Sequence, residues 1–348
     1  MKKFALFVAA ALIAGGALAG SDPLETPARL SELASARPIT ALARAGSGVV
    51  AVGQRGHILR SVDGGRRWTQ SKVPTSSDLT AVQFPDARTG FATGHDGVVL
   101  KSEDGGATWI KLLDGRAVNR LVLEQMQARV DAGGTEHDKR LLDEAKRNAE
   151  MGPDKPFLDL WFTNDREGFV IGAYNLILHT ADGGRSWQSW FDRTDNPRFL
   201  NFYAIRSVGR SLYIAGEAGL LLKLDGEHFK ALASPYNGSF FGLAGTSAGV
   251  LVFGMRGNAY LSRDEGGTWR AVPTGLMASI TAGDALPDGR VALVDQAGLL
   301  TVSKDGGERF LRSGPPAPMS LSAVVFAGDA LVIGGVRGAR ALDLKKEP

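Results

Sequence analysis

Five aspartates with the same sequence surroundings are the first residues whose type and spacing could support chemistry. Each lies in the frame Ser/Thr-x-Asp-x-Gly-x-x-Trp/Phe, and the copies begin at Ser61, Ser102, Thr180, Ser262 and Ser303. A carboxylate can act as a general acid or base, but an active site does not need one in every repeat. Glycine allows positive φ in a tight turn, and Asp and Ser/Thr side chains bond to the backbone of their own turn. The frame therefore predicts structural corners between strands, built by Asp63, Asp104, Asp182, Asp264 and Asp305 with Trp68, Trp109, Trp187 and Trp269.

A second set of candidate residues occupies one position in a recurring glycine-bounded turn. Seven such turns align, and their third residues are Arg55, Asp96, Tyr174, Ala218, Arg256, Ala297 and Arg337. Arginine suits the recognition of carboxylates, phosphates and protein partners. We therefore expect the three arginines to contribute to one binding surface. The alternative is that they are ordinary solvated loop residues.

The elements that must position these residues are short β-like apolar runs in groups of four. The aligned turns are 41, 78, 44, 38, 41 and 40 residues apart, and the spacing of 78 contains one insertion. Four strands about every forty residues, repeated seven times, is the period of a β-propeller. The sequence thus predicts an all-β fold, a seven-bladed β-propeller of four-stranded blades, as a single domain over residues 20–348. The last unit has three runs, and we expect residues 26–33 (TPARLSEL) to supply its fourth strand and close the ring.

The loops of a four-stranded blade alternate between two faces. The aspartate corners join strands three and four, so they share one face, here called the corner face. The glycine turns and the connections between blades share the other, the turn face. The corners repeat while the turns vary, and variable loops on a rigid scaffold are where function is usually found. The connections add Arg193, Arg198 and Tyr236 as candidate partner-binding residues beside several aromatic side chains.

One segment departs from the repeat, residues 114–156 between the second and third blades. Apolar residues recur every four positions from Val118, as on one face of a helix. A Gly-Gly pair would end that helix, and Thr135 with Asp138 resembles a capping box for a second one. We therefore expect a helical hairpin inserted on the turn face. The alternative is a poorly ordered charged loop.

The first nineteen residues have the features of a secretory signal peptide. Lys2 and Lys3 precede an apolar run, and Ala17-Leu-Ala19 matches an A-x-A cleavage site. We expect residues 1–19 to be removed, which predicts a periplasmic protein with no membrane span after cleavage. An uncleaved anchor helix is the alternative, although the apolar run is short and broken by glycines.

Composition argues against several classes of function. The 40 basic and 37 acidic residues give a formal net charge of +3, too balanced for bulk nucleic-acid binding. Cysteine is absent, which excludes disulfides, thiolate metal sites, a cysteine nucleophile and cysteine acylation. The five histidines show no HxH or HExxH spacing, so we expect no metal and no cofactor.

At this point a family resemblance can be stated. Residues 79–109 (LTAVQFPDARTGFATGHDGVVLKSEDGGATW) resemble the Asp-box, or BNR, repeat of the photosystem II stability/assembly factor family and its non-photosynthetic bacterial relatives. The resemblance implies a non-catalytic scaffold, monomeric on its own, for a membrane protein complex of the envelope, with a transporter among the candidates. The family is similar in holding partner proteins on an arginine-bearing propeller face. Arg55, Arg256 and Arg337 correspond to the arginines of that family only by their position in the turns.

Two other functions remain open from the sequence. Asp boxes also occur in sialidases, which use an arginine triad, a Tyr–Glu nucleophile pair and an Asp acid/base. The turn arginines with Tyr174, Glu217 and Asp96 could supply those types of residue. However, the FRIP motif of sialidases is absent, and sialidases are usually six-bladed. The third possibility is a small anionic ligand in the central channel.

Overall fold

The computed structural model of the protein describes residues 22–314, 317–328 and 330–343. Their strands form seven antiparallel sheets, each made from consecutive strands of the chain. The first strand of every sheet contacts the first strand of the next, and the seventh contacts the first. The sheets are thus the blades of a closed ring, and the predicted seven-bladed β-propeller is confirmed. The predicted signal peptide, residues 1–19, lies outside the described residues.

The first four blades are four-stranded. Blade one contains β1 (Ile39–Ala45), β2 (Gly48–Gly53), β3 (Ile58–Ser61) and β4 (Thr69–Gln70). Blade two contains β5 (Leu79–Gln83), β6 (Gly90–Gly94), β7 (Val99–Ser102) and β8 (Ile110–Leu113). Blade three contains β9 (Phe157–Phe162), β10 (Gly168–Gly172), β11 (Ile177–Thr180) and β12 (Gln188–Ser189). Blade four contains β13 (Phe202–Val208), β14 (Ser211–Gly216), β15 (Leu221–Asp225) and β16 (His228–Ala231).

Blades five and six are also four-stranded, whereas blade seven has three strands among the described residues. Blade five contains β17 (Phe240–Thr246), β18 (Gly249–Gly254), β19 (Ala259–Ser262) and β20 (Arg270–Ala271). Blade six contains β21 (Ile280–Ala285), β22 (Val291–Asp295), β23 (Leu300–Ser303) and β24 (Leu311–Arg312). Blade seven contains β25 (Leu321–Ala327), β26 (Ala330–Gly335) and β27 (Gly338–Asp343), with no fourth strand among the described residues.

Neighbouring blades are held together by apolar packing and by hydroxyl groups. The second strands are buried along their length because a blade lies on each side, as in the GFVIG sequence of β10. Phe91 and Phe162 stack between blades two and three with ring centroids 3.6 Å apart. Hydroxyl groups near the start of four first strands donate to backbone carbonyls of the next blade: Thr40 to Leu79 (2.6 Å), Thr80 to Phe157 (2.7 Å), Thr281 to Leu321 (2.8 Å) and Ser322 to Ile39 (2.5 Å).

The ring closes without the strand expected from residues 26–33, so that prediction is wrong. Blade seven packs on blade one through Val49, Val325 and Val332, and the Ser322 hydroxyl bridges the same joint. Residues 26–33 instead run along blade one, where Ala28 N–H donates to the Val73 carbonyl at 3.0 Å. The physical reason is burial, because Leu24 and Ala28 enter the apolar cluster between blades one and two.

The expected helical hairpin is present between blades two and three. It consists of α1 (Gly115–Asp131) and α2 (Glu136–Met151). The capping box is confirmed, since the Thr135 hydroxyl accepts from Asp138 N–H while the Asp138 carboxylate accepts from Thr135 N–H. Neither helix is long and apolar enough to cross a membrane, and no other described helix is either.

Short 3₁₀ turns mark the turn face and the N-terminal segment. Outside the N-terminal segment, five of them connect strands two and three of their blades. The bounds are Ala34–Ala36, Gln54–Gly56, His95–Gly97, Ala173–Asn175, Glu217–Gly219 and Met255–Gly257.

Candidate functional site

The aspartate corners form closed hydrogen-bond networks. In blade two the Ser102 hydroxyl donates to Asp104 Oδ1 at 2.8 Å and accepts from Gly106 N–H at 2.9 Å. The same carboxylate accepts from Thr108 N–H at 2.9 Å, and the Trp109 indole N–H donates to the Gly106 carbonyl at 3.1 Å. These polar groups therefore find their partners within the corner, as a structural role requires.

The corner carboxylates are also held in their ionised form. The hydroxyl of Ser186 lowers the pKa of Asp182 to about 2, and that of Thr268 lowers the pKa of Asp264 to about 2. Hydrogen bonds to the charged form lower the pKa of Asp63 and of Asp305 in the same direction. A carboxylate with such a low pKa is a poor general acid near neutral pH. The corner face therefore offers no protonated carboxylate for acid catalysis among these residues.

The turn face repeats a backbone conformation but not its side chains. The third residue of each of five turns has a left-handed backbone, with φ of 56° at Arg55, 56° at Asp96, 54° at Tyr174, 49° at Ala218 and 56° at Arg256. Non-glycine residues adopt this conformation only when neighbours fix it. Here the following connection does so: Arg55 N–H donates to Asp78 Oδ1 at 2.7 Å, and Tyr174 N–H donates to Asn201 Oδ1 at 2.9 Å.

Four of the candidate arginines are exposed on this side. Arg55, Arg256 and Arg337 lie at their turns, and Arg198 lies in the connection before blade four. None of the four guanidinium groups is ion-paired with a carboxylate of the described residues. An unpaired, exposed guanidinium keeps its five donors available to a partner.

The other candidate residues differ in their exposure and in the contacts that they make within the protein. Tyr174 has 49% of its surface exposed, and Lys155 Nζ lies 5.5 Å from its ring centroid. The Asp96 carboxylate accepts from the Ser77 hydroxyl at 2.7 Å, so it supports its own turn. Arg193 and Tyr236 are half-buried and make contacts within the protein, and their role in partner binding stays a prediction. Arg193 pairs with Glu227 at 2.8 Å and lies over the Trp190 ring, while Tyr236 packs on Phe240 and Tyr260.

The helical hairpin is attached to the propeller by contacts that sequence reasoning missed. Gln125 Oε1 accepts from Ser189 N–H at 2.7 Å. The Arg129 guanidinium lies 2.9 Å from Asp138 and 2.9 Å from Asp192, so it joins the helical cap to the blade-three connection. Val118, Val122 and Met126 enter the core cluster of blades two and three. Only the helical periodicity was visible in the sequence, because the partners of these residues lie far along the chain.

A groove lies between α2 and the connection 191–199, and we call it the hairpin groove. Its volume is about 450 Å³, and His137, Arg140 and Leu141 line it from the helix. Phe191 and Phe199 line the opposite side, stacked with centroids 5.7 Å apart. The hairpin groove combines an apolar floor with a polar rim, the composition typical of protein contacts.

The central channel holds a cavity of about 180 Å³. The seven first strands that line the channel carry two cationic residues, Arg44 and Arg206. Arg44 is paired with Asp284, and Arg206 is paired with Asp159. Burial raises the pKa of the Asp159 carboxyl, while the Arg206 guanidinium opposes that shift. Both cations thus already hold a carboxylate, which disfavours the channel as a site for a small anion.

In the part of the chain that the structure describes, neither the channel cavity, the hairpin groove nor the cavity beside Tyr174 is lined by the whole set of sialidase-like residues. Arg55, Tyr174, Glu217, Arg256 and Arg337 come from five different blades of the rim. The small cavity beside Tyr174 is lined by residues such as Asn119, Lys155 and Phe191, and by none of the turn arginines. The described residues also contain no group of three His, Asp or Glu side chains that could hold a metal ion.

A seven-bladed propeller with repeated aspartate corners on one face and variable turns on the other is a BNR-type β-propeller. The chain belongs to the family described as photosynthesis system II assembly factor YCF48, whose sequence model matches residues 40–119 and 140–298. The family expected from residues 79–109 is thereby confirmed.

Individual relatives match shorter parts of the chain. A photosystem II assembly lipoprotein Ycf48 from Synechococcus sp. (strain CC9902) is 31% identical over 132 residues, 35% of this chain and 38% of that protein. The counterpart from Prochlorococcus marinus is 46% identical over 39 residues, 11% of this chain and 12% of that protein. The aligned parts thus span less than half of these relatives.

Two solved structures have the same fold over most of the chain. "YCF48 bound to D1 peptide" superposes with a TM-score of 0.64 at 15% identity, covering 88% of this chain and 93% of that one. The WD40 propeller of Doa1 superposes with a TM-score of 0.63 at 12% identity, covering 93% and 97%. At these identities the likeness concerns the fold alone.

Proposed function

We propose that this protein is a non-catalytic scaffold that holds a segment of a membrane protein complex against its turn face. The single observation that carries the proposal is the set of exposed turn arginines that have no carboxylate partner among the described residues. Because Arg55 and Arg256 project from turns with a fixed left-handed backbone, little conformational entropy of the turn is lost when a partner binds to them. A partner segment that offers carboxylates could be held by several of them at once.

The family supports the class of partner. The relatives are named photosystem II assembly lipoproteins or assembly proteins, and one solved structure with the same fold is titled as YCF48 bound to a D1 peptide. For this chain we propose the same class of function, in which the protein helps a membrane complex to assemble or acts as an accessory protein of that complex. We do not assign photosystem II as its partner. A transporter of the cell envelope is one such complex.

The location proposed is the periplasm. The support is the signal-like segment of residues 1–19, with its basic start, apolar run and A-x-A site. Some relatives are named lipoproteins, whereas this sequence contains no cysteine to acylate. We therefore propose a form of the protein that reaches the membrane through its partner.

The arrangement of charged residues supports binding rather than catalysis. The corner aspartates have lowered pKa values and accept hydrogen bonds within their own turns, and the channel arginines are paired with carboxylates. The turn arginines stand at the rim in blades one, five and seven. Charged groups that are exposed and dispersed suit a broad interface better than a reaction centre.

The experiment is an affinity pull-down from detergent-solubilised envelope. We expect wild type to retain one membrane complex and an Arg55/Arg256/Arg337→Ala variant to retain at least tenfold less. The matched control is Arg67/Arg185/Arg309→Ala, which removes the same charge from exposed positions of the corner face. If both variants retained equally little of the complex, the effect would be due to net charge alone. Full retention of the complex by the Arg55/Arg256/Arg337→Ala variant would contradict the proposal.

The hairpin groove can be tested in the same assay. Deleting 114–156 is unsuitable, because Val118 and Met126 belong to the core shared with blades two and three. A His137/Arg140→Ala variant changes only the rim of the groove. Reduced retention would include the hairpin groove in the interface, and unchanged retention would restrict the interface to the turn arginines.

A further inference from the structure

Blade seven differs from the other six blades because its outer edge is open among the described residues. In every other blade the third strand pairs with a fourth, whereas β27 pairs only with β26 among the described residues. The strand is six residues long, longer than the third strands of the other blades. An exposed strand of this length presents a row of backbone donors and acceptors for another strand.

The chain itself comes close to this position and then turns away. In blades one, four and five, a carbonyl packs on the glycine that ends the turn: Thr75 on Gly56, Tyr236 on Gly219 and Leu276 on Gly257. Each carbonyl lies five residues beyond the end of the fourth strand of its blade. In blade seven the carbonyl of Ser35 packs on Gly338 in the same way, so a fourth strand would end at Leu30.

The residues around Leu30 are committed to blade one instead. Ser31 N–H donates to Gln70 Oε1 at 2.8 Å, and Gln70 Nε2 donates to the Arg29 carbonyl at 3.0 Å. Leu24 and Ala28 are buried in the cluster between blades one and two. The N-terminal segment therefore replaces the connection of blade seven but leaves its strand position open.

A groove lies between the N-terminal segment and blade one, close to that open position. It has a volume of about 390 Å³, and Leu30, Ala34, Leu59 and Trp68 are among the residues that line it. Trp68 packs against the same apolar cluster of Val49, Val325 and Val332 as Ala339 and Ala341 of β27, so the groove lies near the open edge. Leu30 and Leu33 are 58% and 59% exposed on the N-terminal segment, so they are available for apolar contact.

The charged residues around the open edge indicate which kind of partner it would bind. Arg29, Arg37 and Arg340 are exposed, and none is ion-paired with a carboxylate of the described residues. Glu32 is the acidic side chain that lines the groove. A second copy of this chain would bring like charges together, since β27 paired with β27 would set two Arg340-bearing edges side by side.

We propose that the open edge of β27 binds an extended, acidic segment of another protein, which adds as the fourth strand of blade seven. The two-residue turn after β26 makes Gly335 and Gly338 a hydrogen-bonded pair, so the bonding alternates from there. Ala339 and Ala341 consequently direct their N–H and C=O groups to the open edge. Strand addition of this kind takes its affinity from the backbone and its selectivity from flanking side chains.

The test uses a fluorescein-labelled peptide of alternating Glu and Val residues with the full chain. Two further peptides carry N-methyl groups, one on the Glu amides and the other on the Val amides. Only one edge of an added strand bonds to β27, so we expect one methylated peptide to bind at least tenfold more weakly than the other. Fluorescence anisotropy measures the three affinities. Equal affinities of the two methylated peptides, or no binding of the parent peptide, would overturn the proposal.

Two protein-side measurements locate the peptide. Amide hydrogen exchange at Ala339 and Ala341 should slow at least fivefold when the parent peptide is bound. Ala341→Pro removes one outward N–H from an edge position, where proline is tolerated, and should weaken binding at least fivefold while the melting temperature is retained. An Arg55/Arg256→Ala variant should bind the peptide as wild type does, which separates this edge from the turn arginines. Unchanged exchange at both alanines would place the peptide elsewhere and reject the strand model.

Discussion

The corner face and the turn face use the same repeated backbone in opposite ways. At the corners the side chains repeat, and each Ser/Thr–Asp pair forms hydrogen bonds within its own turn. At the turns the left-handed backbone repeats, whereas the residue that adopts it changes from Arg to Asp, Tyr and Ala. A repeated side chain marks a requirement of the fold, and a repeated backbone with variable side chains marks a surface free to change. In this propeller, that difference distinguishes residues that maintain the fold from residues that are candidates for binding.

The same contrast holds for the charged residues. Corner aspartates have partners in their own turn, and the channel arginines have carboxylate partners on nearby blades. The turn arginines Arg55, Arg256 and Arg337 have no carboxylate partner among the residues described. Substitutions on the two faces should therefore separate stability from binding, and the largest stability effects belong to the corner face.

The strongest test of the contrast compares one aromatic residue from each face. Trp109 is 5% exposed and packs edge-on against Phe84 with centroids 5.9 Å apart. We expect Trp109→Ala to lower the free energy of unfolding by about 3–5 kcal/mol, because a large buried ring is lost. Tyr174→Ala, at a residue 49% exposed, should cost less than about 1 kcal/mol. Urea denaturation measures both, and a near-native stability of Trp109→Ala would refute the structural role of the corner.

A smaller effect is expected at the carboxylate of the same corner. Asp104→Ala removes the bonds from the Ser102 hydroxyl and from Thr108, which should cost about 1–2 kcal/mol. The neighbouring Glu103 is exposed and has one ion pair, with Lys101 at 3.0 Å. Glu103→Ala should therefore change the stability by less than about 0.5 kcal/mol. Equal effects of the two substitutions, in thermal or urea unfolding, would mean that the corner network adds nothing beyond surface charge.

Much of this architecture could be predicted from the sequence because its signals are local. The aspartate frame specifies a turn within eight residues, and the apolar periodicity from Val118 with the Thr135–Asp138 cap specifies two helices. Repetition then converts one local motif into a seven-bladed ring. Alignment of the turns also placed Arg55, Arg256 and Arg337 on one side, since the alternation of loops in a blade determines the face.

The parts that could not be predicted depend on partners distant in the chain. Nothing near Arg193 in the sequence reveals its ion pair with Glu227 in the next blade. Residues 26–33 have the right position for a fourth strand, yet the burial of Leu24 and Ala28 against blades one and two directs the segment elsewhere. In both cases the competing contact involves a residue more than thirty positions away.

The smallest predicted effect concerns the helical hairpin, which lies on the turn face and is inserted once rather than repeated in each blade. Hydrogen bonds from Thr135, first from its hydroxyl and then from its N–H, lower the pKa of Asp138 to about 2, with further help from Arg129. A carboxyl group whose pKa is lowered by folding stabilises the fold above its unfolded pKa. That contribution is lost as the pH falls through the pKa of the folded state. We therefore expect the hairpin to lose part of its helical circular dichroism at 222 nm as the pH falls from about 4 to about 2.

The control for this titration is Asp138→Asn, which keeps the shape of the capping residue but removes its charge. This variant should begin with a weaker helical signal at neutral pH and lose little more across the same pH range. The corner carboxylates Asp182 and Asp264 titrate in the same range, with pKa values of about 2. They lie in strand-linking turns, however, so their protonation should affect the β signal and be equal in both proteins. If wild type and Asp138→Asn lost helix in parallel, the hairpin would depend on the corner face for its stability, and the separation of the two faces would fail.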